Sequence, residues 1–386
     1  MSRRYSRSLS ILFLLSVLVL LCACTRPELP EVSTTQPVEE AAWDTLVFDH
    51  SMTLSYADQF TVDCYRGGYQ KITIADTDSY LVVPEGAAVP AGVPEEITVL
   101  RQPLNNIYLV ATSAMDLFRE LDAMDTIRLS GTNTSGWYIP EARQAMEEGR
   151  ILYAGKYSAP DYERIVSEGC GLAVESTMIY HNPEVKQQLE RFGIPVLVER
   201  SSYERHPLGR MEWIKLYGVL LGKEDAAQAF FDRQLALLEP ILEQEKTDKT
   251  VAFFYITSNG AVNIRKSGDY IAKCIALAGG EYLPRNLTEE NALSTMTIQM
   301  ESFYQEAREA DILIYNSAID GELQTMDQLL EKSELLQDFK AVRTGNVWCT
   351  GKNLFQESLG LGDLILDIHA IVTGTEAELT YLHKLN

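Results

Sequence analysis

The sequence predicts an α/β protein: two α/β lobes with mostly parallel sheets, bridged by a single long helix. Three observations carry this expectation. From Asn106 to Arg200, short apolar runs of strand length alternate with amphipathic helical stretches, the pattern of strand–helix–strand crossovers. The alternation restarts at Val251. Between the two blocks lies a helical region without any strand-like run.

Taken in order, segments 46–54, 59–64 and 70–83 carry Val, Ile, Thr, Tyr and Phe between turn residues and read as strands. IYLVATS (107–113) reads as a buried strand, and TIRLSG, RILYAG, GLAVES and PVLVER as further strands. AMDLFRELDAM, PEARQAMEEG, APDYERIVSEG and NPEVKQQLERFG read as the helices between them. HPLGRMEWIKLYGVLLG predicts a helix stopping at Gly222. KEDAAQAFFDRQLALLEPILEQEKTDK follows, with acids at its start as the helix dipole prefers. At about 23 residues it would be roughly 35 Å long, and Pro240 is expected to kink it. VAFFYI (251–256), DILIYN (311–316) and NVWC read as strands of the second block. DYIAKCIALAGGEYL, QMESFYQEAREA, a stretch near 322–340 and LGLGDLILDIHAIVTG read as its helices, and a short helical tail is expected to close the chain.

The first residues read as an export leader. Arg3, Arg4 and Arg7 precede the apolar run LSILFLLSVLVLL, and Ala23 precedes Cys24. A basic start, a short apolar core and a small-residue cleavage site describe a secretory signal. The run falls short of the roughly 20 residues a bilayer span needs. Its ending resembles a bacterial lipobox, which implies Cys24 as the lipidated mature N-terminus. Residues 25–44, rich in Pro, Thr and Glu, read as a tether. The expected organisation is leader 1–23, lipidated tether 24–44, first lobe 45–222, linking helix 223–247 and second lobe 248–386.

Bulk composition narrows the function classes. The formal charge of −22 becomes −25 when residues 1–23, with three arginines and no acids, are removed. Such a chain is unsuited to nucleic acid and would not adhere to an anionic membrane through its own surface. Beyond Cys24, the cysteines Cys64, Cys170, Cys274 and Cys349 are scattered singly. That spacing supports neither a metal cluster nor a disulfide scaffold.

Four stretches carry a family resemblance: TSAMDLFRELDAMDTIRLSG, PDYERIVSEGCGLAVES, HPLGRMEWIKLYGVLLGKEDAAQAF and TIQMESFYQEAREADILIYN. Over roughly residues 100–375 the chain resembles the substrate-binding proteins of ABC importers for iron–siderophores, haem and cobalamin, the class III periplasmic binding proteins. The resemblance implies a monomeric receptor whose ligand sits between two lobes. It also implies partners: an ABC permease with its ATPase subunits, and the membrane through the N-terminal lipid. Glu163 and Glu301 match the family's paired glutamates, one per lobe, that dock onto permease arginines. Two carboxylates on separate rigid lobes would steer and orient such docking.

Cleft residues are expected at strand ends facing the opposite lobe. On the first lobe these are Thr112, Ser113, Met115, Trp137, Tyr138, Thr177, Met178 and Tyr180. On the second they are Tyr255, Ser258, Arg265, Lys352 and Phe355, with Arg205 and Arg210 entering from the hinge. Aromatics offer apolar area with a polar handle, and Arg and Lys attract carboxylate or catecholate oxygens. The expected ligand is a metal chelate, with a ferric siderophore favoured and a corrinoid or haem as alternatives. No resident cofactor or bare metal ion is expected. Haem would want an axial side chain, for which His181 and His206 stand at plausible cleft edges. No GxxxxGK[ST], HExxH or GxSxG motif occurs. The rival reading from another class is a lipid-anchored envelope enzyme on the same two-lobed fold.

Overall fold

The structure, a computed structural model, describes residues 42–285, 287 and 294–386. The leader, Cys24 and all but the last residues of the expected tether lie outside the described residues. Three sheets follow one another along the chain.

The first is a five-stranded sheet in sequential order: β1 (Phe48–Ser51), β2 (Phe60–Tyr65), β3 (Gln70–Ile74), β4 (Asp78–Val83) and β5 (Ile97–Arg101). The first four form an antiparallel meander, and β5 runs parallel to β4. Alternation places Phe60, Val62, Ile72, Ile74, Tyr80 and Val82 in the main core. The sequence reading gives three strand segments over this region, the third running through both β3 and β4, and no strand at β5.

Lobe one holds β6 (Ile107–Leu109), β7 (Ile127–Ser130), β8 (Leu152–Tyr153), the two-residue ladder β9 (Gly155–Lys156) and β10 (Ala159–Pro160), β11 (Leu172–Ser176) and β12 (Val196–Glu199). Its main sheet has the order β12-β11-β6-β7-β8 and is parallel throughout. Helices α1 (Met115–Glu120) and α2 (Pro140–Glu147) cover one face, while α3 (Tyr162–Ser167) and α4 (Pro183–Arg191) cover the other. Both faces are therefore buried, which explains why these strands read as unbroken apolar runs.

Two helices then form the bridge. In α5 (Pro207–Leu221), fourteen consecutive residues from Pro207 to Leu220 are buried. His206 caps its start, and Gly222 ends it in the left-handed region at φ 65°. The long helix α6 (Glu224–Leu242) follows, burying Ala227, Phe230, Phe231 and Leu238. Pro240 falls in its last turn. The bridge is therefore a packed pair: α5 touches α1 of lobe one as well as α6 and two helices of lobe two.

Lobe two contains β13 (Thr250–Ile256), β14 (Val262–Arg265), α7 (Tyr270–Leu277), β15 (Glu281–Leu283), β16 (Thr295–Ile298), α8 (Met300–Ala307), β17 (Ile312–Tyr315), α9 (Ser317–Asp320), α10 (Met326–Lys332), α11 (Lys340–Arg343), β18 (Val347–Thr350), α12 (Leu361–Thr373) and β19 (Leu382–Lys384). α7 and α12 are the helices of this lobe that reach α5. The centre of the sheet, β15, β13, β17 and β18, is parallel. β14 and β16 extend it as an antiparallel pair. The expected helical tail is instead a strand: β19 pairs antiparallel with β18, and its Leu382 and the following Leu385 are buried.

Candidate ligand cleft

The two lobes turn the carboxyl ends of their parallel strands toward each other, the edge where open α/β sheets bind ligands. The cleft between them, about 380 Å³, is lined by Thr112 after β6, Tyr138 beyond β7, Tyr255 near the end of β13, Asn263 and Arg265 of β14, and Thr295 of β16. Asn316, Ala318 and Ile319 after β17 and Lys352, Phe355 and Gln356 after β18 complete it. Six of the residues expected from sequence thus meet here: Thr112, Tyr138, Tyr255, Arg265, Lys352 and Phe355.

Arg265 is the most firmly built of them. Tyr282 accepts a hydrogen bond from its backbone N–H at 3.0 Å and donates to its carbonyl at 2.7 Å. The guanidinium lies 5.1 Å from the Phe355 ring centroid, 5.6 Å from Phe253 and 5.7 Å from Tyr270. Asp269 stands 3.6 Å behind it and caps α7 through the Ile271 N–H. Burial pushes the Asp269 carboxyl upward, and Arg265 and the Ile271 N–H oppose that rise. Lys352, in the loop after β18 of the same lobe, holds its ammonium 5.8 Å from the Tyr138 ring of lobe one. No carboxylate is among the described residues lining the cleft. In a chain of net charge −22, a cleft with two cations and no acid favours an anionic guest.

The remaining expected residues are placed elsewhere. Met115 and Trp137 are corrections, since both are wholly buried. Met115 packs in the core at the start of α1, and the Trp137 indole N–H donates to Ser130 Oγ at 3.1 Å inside lobe one. Ser113 donates its hydroxyl to Glu199 at 3.2 Å. Arg210 is also buried: it sits in the bridge, its guanidinium 4.5 Å above Tyr270, and does not line the cleft. Thr177, Met178 and Tyr180 occupy the turn after β11, on the same lobe edge but toward β12. There the Arg200 guanidinium lies 4.5 Å from the Tyr203 ring and donates to the Tyr180 hydroxyl at 3.3 Å. Arg205 is exposed in the loop before α5. Of the two histidines, His181 is exposed, and His206 stacks on Tyr56 at 4.8 Å and caps α5.

Sequence reasoning missed Asn263, Thr295, Asn316, Ala318, Ile319 and Gln356. Two carried a usable signal. Asn263 precedes Arg265 by two residues, hence shares its strand face. Asn316 follows a buried strand much as Thr112 does.

Glu163 and Glu301 are exposed in the first turns of α3 and α8. Each helix leads into a parallel strand, β11 or β17. Its first turn therefore lies at the edge where the parallel strands end. The two carboxylates stand on opposite lobes at the cleft-side rim.

The family model described as periplasmic binding protein matches residues 116–354. The chain belongs to this family. The matched region begins in α1 and leaves the five-stranded first sheet outside. An uncharacterized lipoprotein of Methanocaldococcus jannaschii is 22% identical over 367 residues, covering 89% of this chain and 85% of that protein. Among solved structures, a periplasmic haem-binding protein from Pseudomonas aeruginosa superposes with a TM-score of 0.56 at 15% identity, covering 73% of this chain and 98% of its own. The periplasmic catecholate-siderophore binding protein VctP from Vibrio cholerae gives 0.56 at 14% identity, covering 70% and 95%. This periplasmic binding protein thus shares their fold and carries additional chain. Among the described residues, no helix is long and apolar enough to cross a membrane.

Proposed function

We propose that this chain is the solute-binding component of an ABC importer and that it captures an anionic metal chelate, a ferric siderophore first among them, between its lobes. The observation that carries this reading is the cleft lining: three aromatic rings and two cations without a carboxylate, in a strongly acidic chain. Arg265, held by backbone and ring contacts, would meet the chelate's oxygens in a fixed direction. Lys352, on the same lobe, supplies a second charge on a flexible stem. Family membership and the shared fold support a binding role over catalysis.

Glu163 and Glu301 are assigned to docking on permease arginines, with the ATPase subunits driving release. Cys24 is assigned to lipid attachment. The tether would hold the receptor near its permease and raise the effective concentration for a weak docking step.

The test mixes protein lacking residues 1–24 with ferric catecholate and hydroxamate siderophores, cobalamin and haem, following tryptophan quenching and visible absorbance. Saturable binding of a ferric siderophore is expected. Preferential binding of cobalamin or haem would reassign the ligand, and no response to any of them would favour an envelope enzyme on this fold.

A further inference from the structure

The segment 351–360 after β18 faces two ways. Its first half lines the cleft through Lys352, Phe355 and Gln356. Its second half is bonded residue by residue to lobe one. The Gln356 amide oxygen accepts from the Tyr138 N–H at 2.7 Å, and its nitrogen donates to the Gly136 carbonyl at 2.7 Å. The Arg119 guanidinium donates to Glu357 at 3.4 Å. Ser358 donates its hydroxyl to the Ser113 carbonyl at 2.8 Å. The Leu359 N–H donates to Asp116 at 2.9 Å. Four successive residues thus hold five points of the opposite lobe. Glu357 is braced from behind by Tyr381 at 2.8 Å and Asn353 at 3.0 Å. Asp116 is buried and paired with Arg119.

We propose that residues 356–359 form an inter-lobe clasp, and that Gln356 is the positioning residue coupling it to the cleft. The coupling rests on the reading of the cleft as a ligand site. Gln356 holds the backbone of Tyr138, whose ring faces Lys352 across the cleft. A guest that draws Lys352 and Phe355 inward pulls on the segment whose next four residues grip lobe one. Both bonds of the Gln356 amide go to backbone groups, so a side chain of this length with both a donor and an acceptor is required. The clasp fixes one side of the lobe pair, and opening must occur by its release or by pivoting about it.

The test measures amide exchange in the full chain in detergent micelles, comparing wild type with Gln356→Ala and Gln356→Glu. Removing the side chain takes away the partners of the Tyr138 N–H and the Gly136 carbonyl and touches no bond of Leu359 directly. If the four residues act as a unit, the Leu359 N–H, bonded to Asp116, also exchanges at least tenfold faster in Gln356→Ala with the melting temperature little changed. In Gln356→Glu the acceptor for Tyr138 survives and the donor to Gly136 is lost. There Leu359 accelerates while Tyr138 stays protected. Unchanged Leu359 exchange in both variants would overturn the clasp. In a second arm a ferric tris-catecholate complex is added. Slower exchange at Tyr138 and Leu359 in wild type supports the coupling, and saturating binding without any change there overturns it. Absence of binding by wild type would overturn the reading of the cleft, while the exchange rates of the ligand-free variants would still decide the clasp.

Discussion

Glu175 is the residue most at odds with its surroundings. It lies on β11 with no exposure, and neither carboxylate oxygen has a partner. Burial alone pushes its carboxyl up to about 8. A carboxyl whose folded value is raised contributes stability below its unfolded value and loses it as pH rises through the folded one. The window here runs from about 4.5 to about 8. Glu175→Gln should therefore stabilise the protein at pH 8 by on the order of 2–4 kcal/mol and flatten the pH dependence, as read by urea denaturation at pH 5 and pH 8. A variant less stable than wild type at pH 8 would show that the carboxylate has a partner in solution. The cleft residues give a second prediction at this scale. Arg265→Ala should weaken chelate binding more than Lys352→Ala, by tenfold or more, because only Arg265 is held in place by Tyr282 and three rings. Titration calorimetry of both variants with the same chelate checks the order. Individual cleft residues were legible where a polar or aromatic residue lies in the short loop beyond an apolar strand, as at Thr112 after β6 and Phe355 after β18. Trp137 misled because its ring turns inward to Ser130, a choice made by tertiary packing. Gln356 was invisible because its partners lie 218 and 220 residues away.

Among the elements, α5 has the most unusual design. A helix buried on every side must satisfy its polar groups inside the protein. For Glu212 and Lys215 it does so through a strand-connecting segment, 53–59, from the first sheet, whereas Arg210 Nε and the Tyr217 hydroxyl have no hydrogen-bond partner among the described residues. Glu212 accepts from the backbone N–H groups of Ser55, Tyr56 and Ala57 and pairs with Lys215 at 2.8 Å. Burial raises the Glu212 carboxyl, and the Lys215 bond and these N–H groups overcome that to hold it below the usual range. Glu204 accepts from Asp58 and Gln59 and from the Trp213 indole. Gly209 sits under the Tyr56 carbonyl, where a Cβ would come within 2.6 Å. The first sheet is thus an external brace on the bridge. Glu212→Ala, which takes the carboxylate from the buried Lys215 ammonium and leaves three N–H groups unpaired, should cost about 3 kcal/mol or more. Gly209→Ala should destabilise by displacing the strap. Chemical denaturation tests both, and an unchanged midpoint for either would remove the brace from the account. Element types were readable wherever periodicity was strong, as in β13 and α12. β5 was missed because its ITVLR run follows a Pro- and Gly-rich stretch that reads as loop. β19 was misread because its apolar spacing also suits a helix, and only pairing with β18 decides the matter.

At the scale of the whole molecule, two charge effects act in one direction. Several buried carboxyls are raised: Glu175 to about 8, Glu204 to about 7 and Asp116 to about 6, each chiefly by burial. For each, stability is lost as pH rises through those values. The net charge of −22 adds self-repulsion as the acids ionise. The melting temperature should therefore fall between pH 5 and pH 8.5, and a rise over that range would contradict the buried-carboxyl argument. The same acidity makes the acid-free cleft conspicuous and places Glu163 and Glu301 as a rim pair on separate lobes. Uptake should fall in a Glu163→Ala, Glu301→Ala double variant with chelate binding intact, and unchanged uptake would remove these residues from docking. The central claim is that the cleft between the lobes binds an anionic metal chelate through its cations and rings. Its most direct test is titration calorimetry of a ferric catecholate siderophore into wild type and into the double variant Arg265→Ala, Lys352→Ala. The account predicts one saturable site in wild type, weakened at least a hundredfold in the variant while the fold is retained. Equal affinity in both proteins, or no binding to wild type, would contradict it.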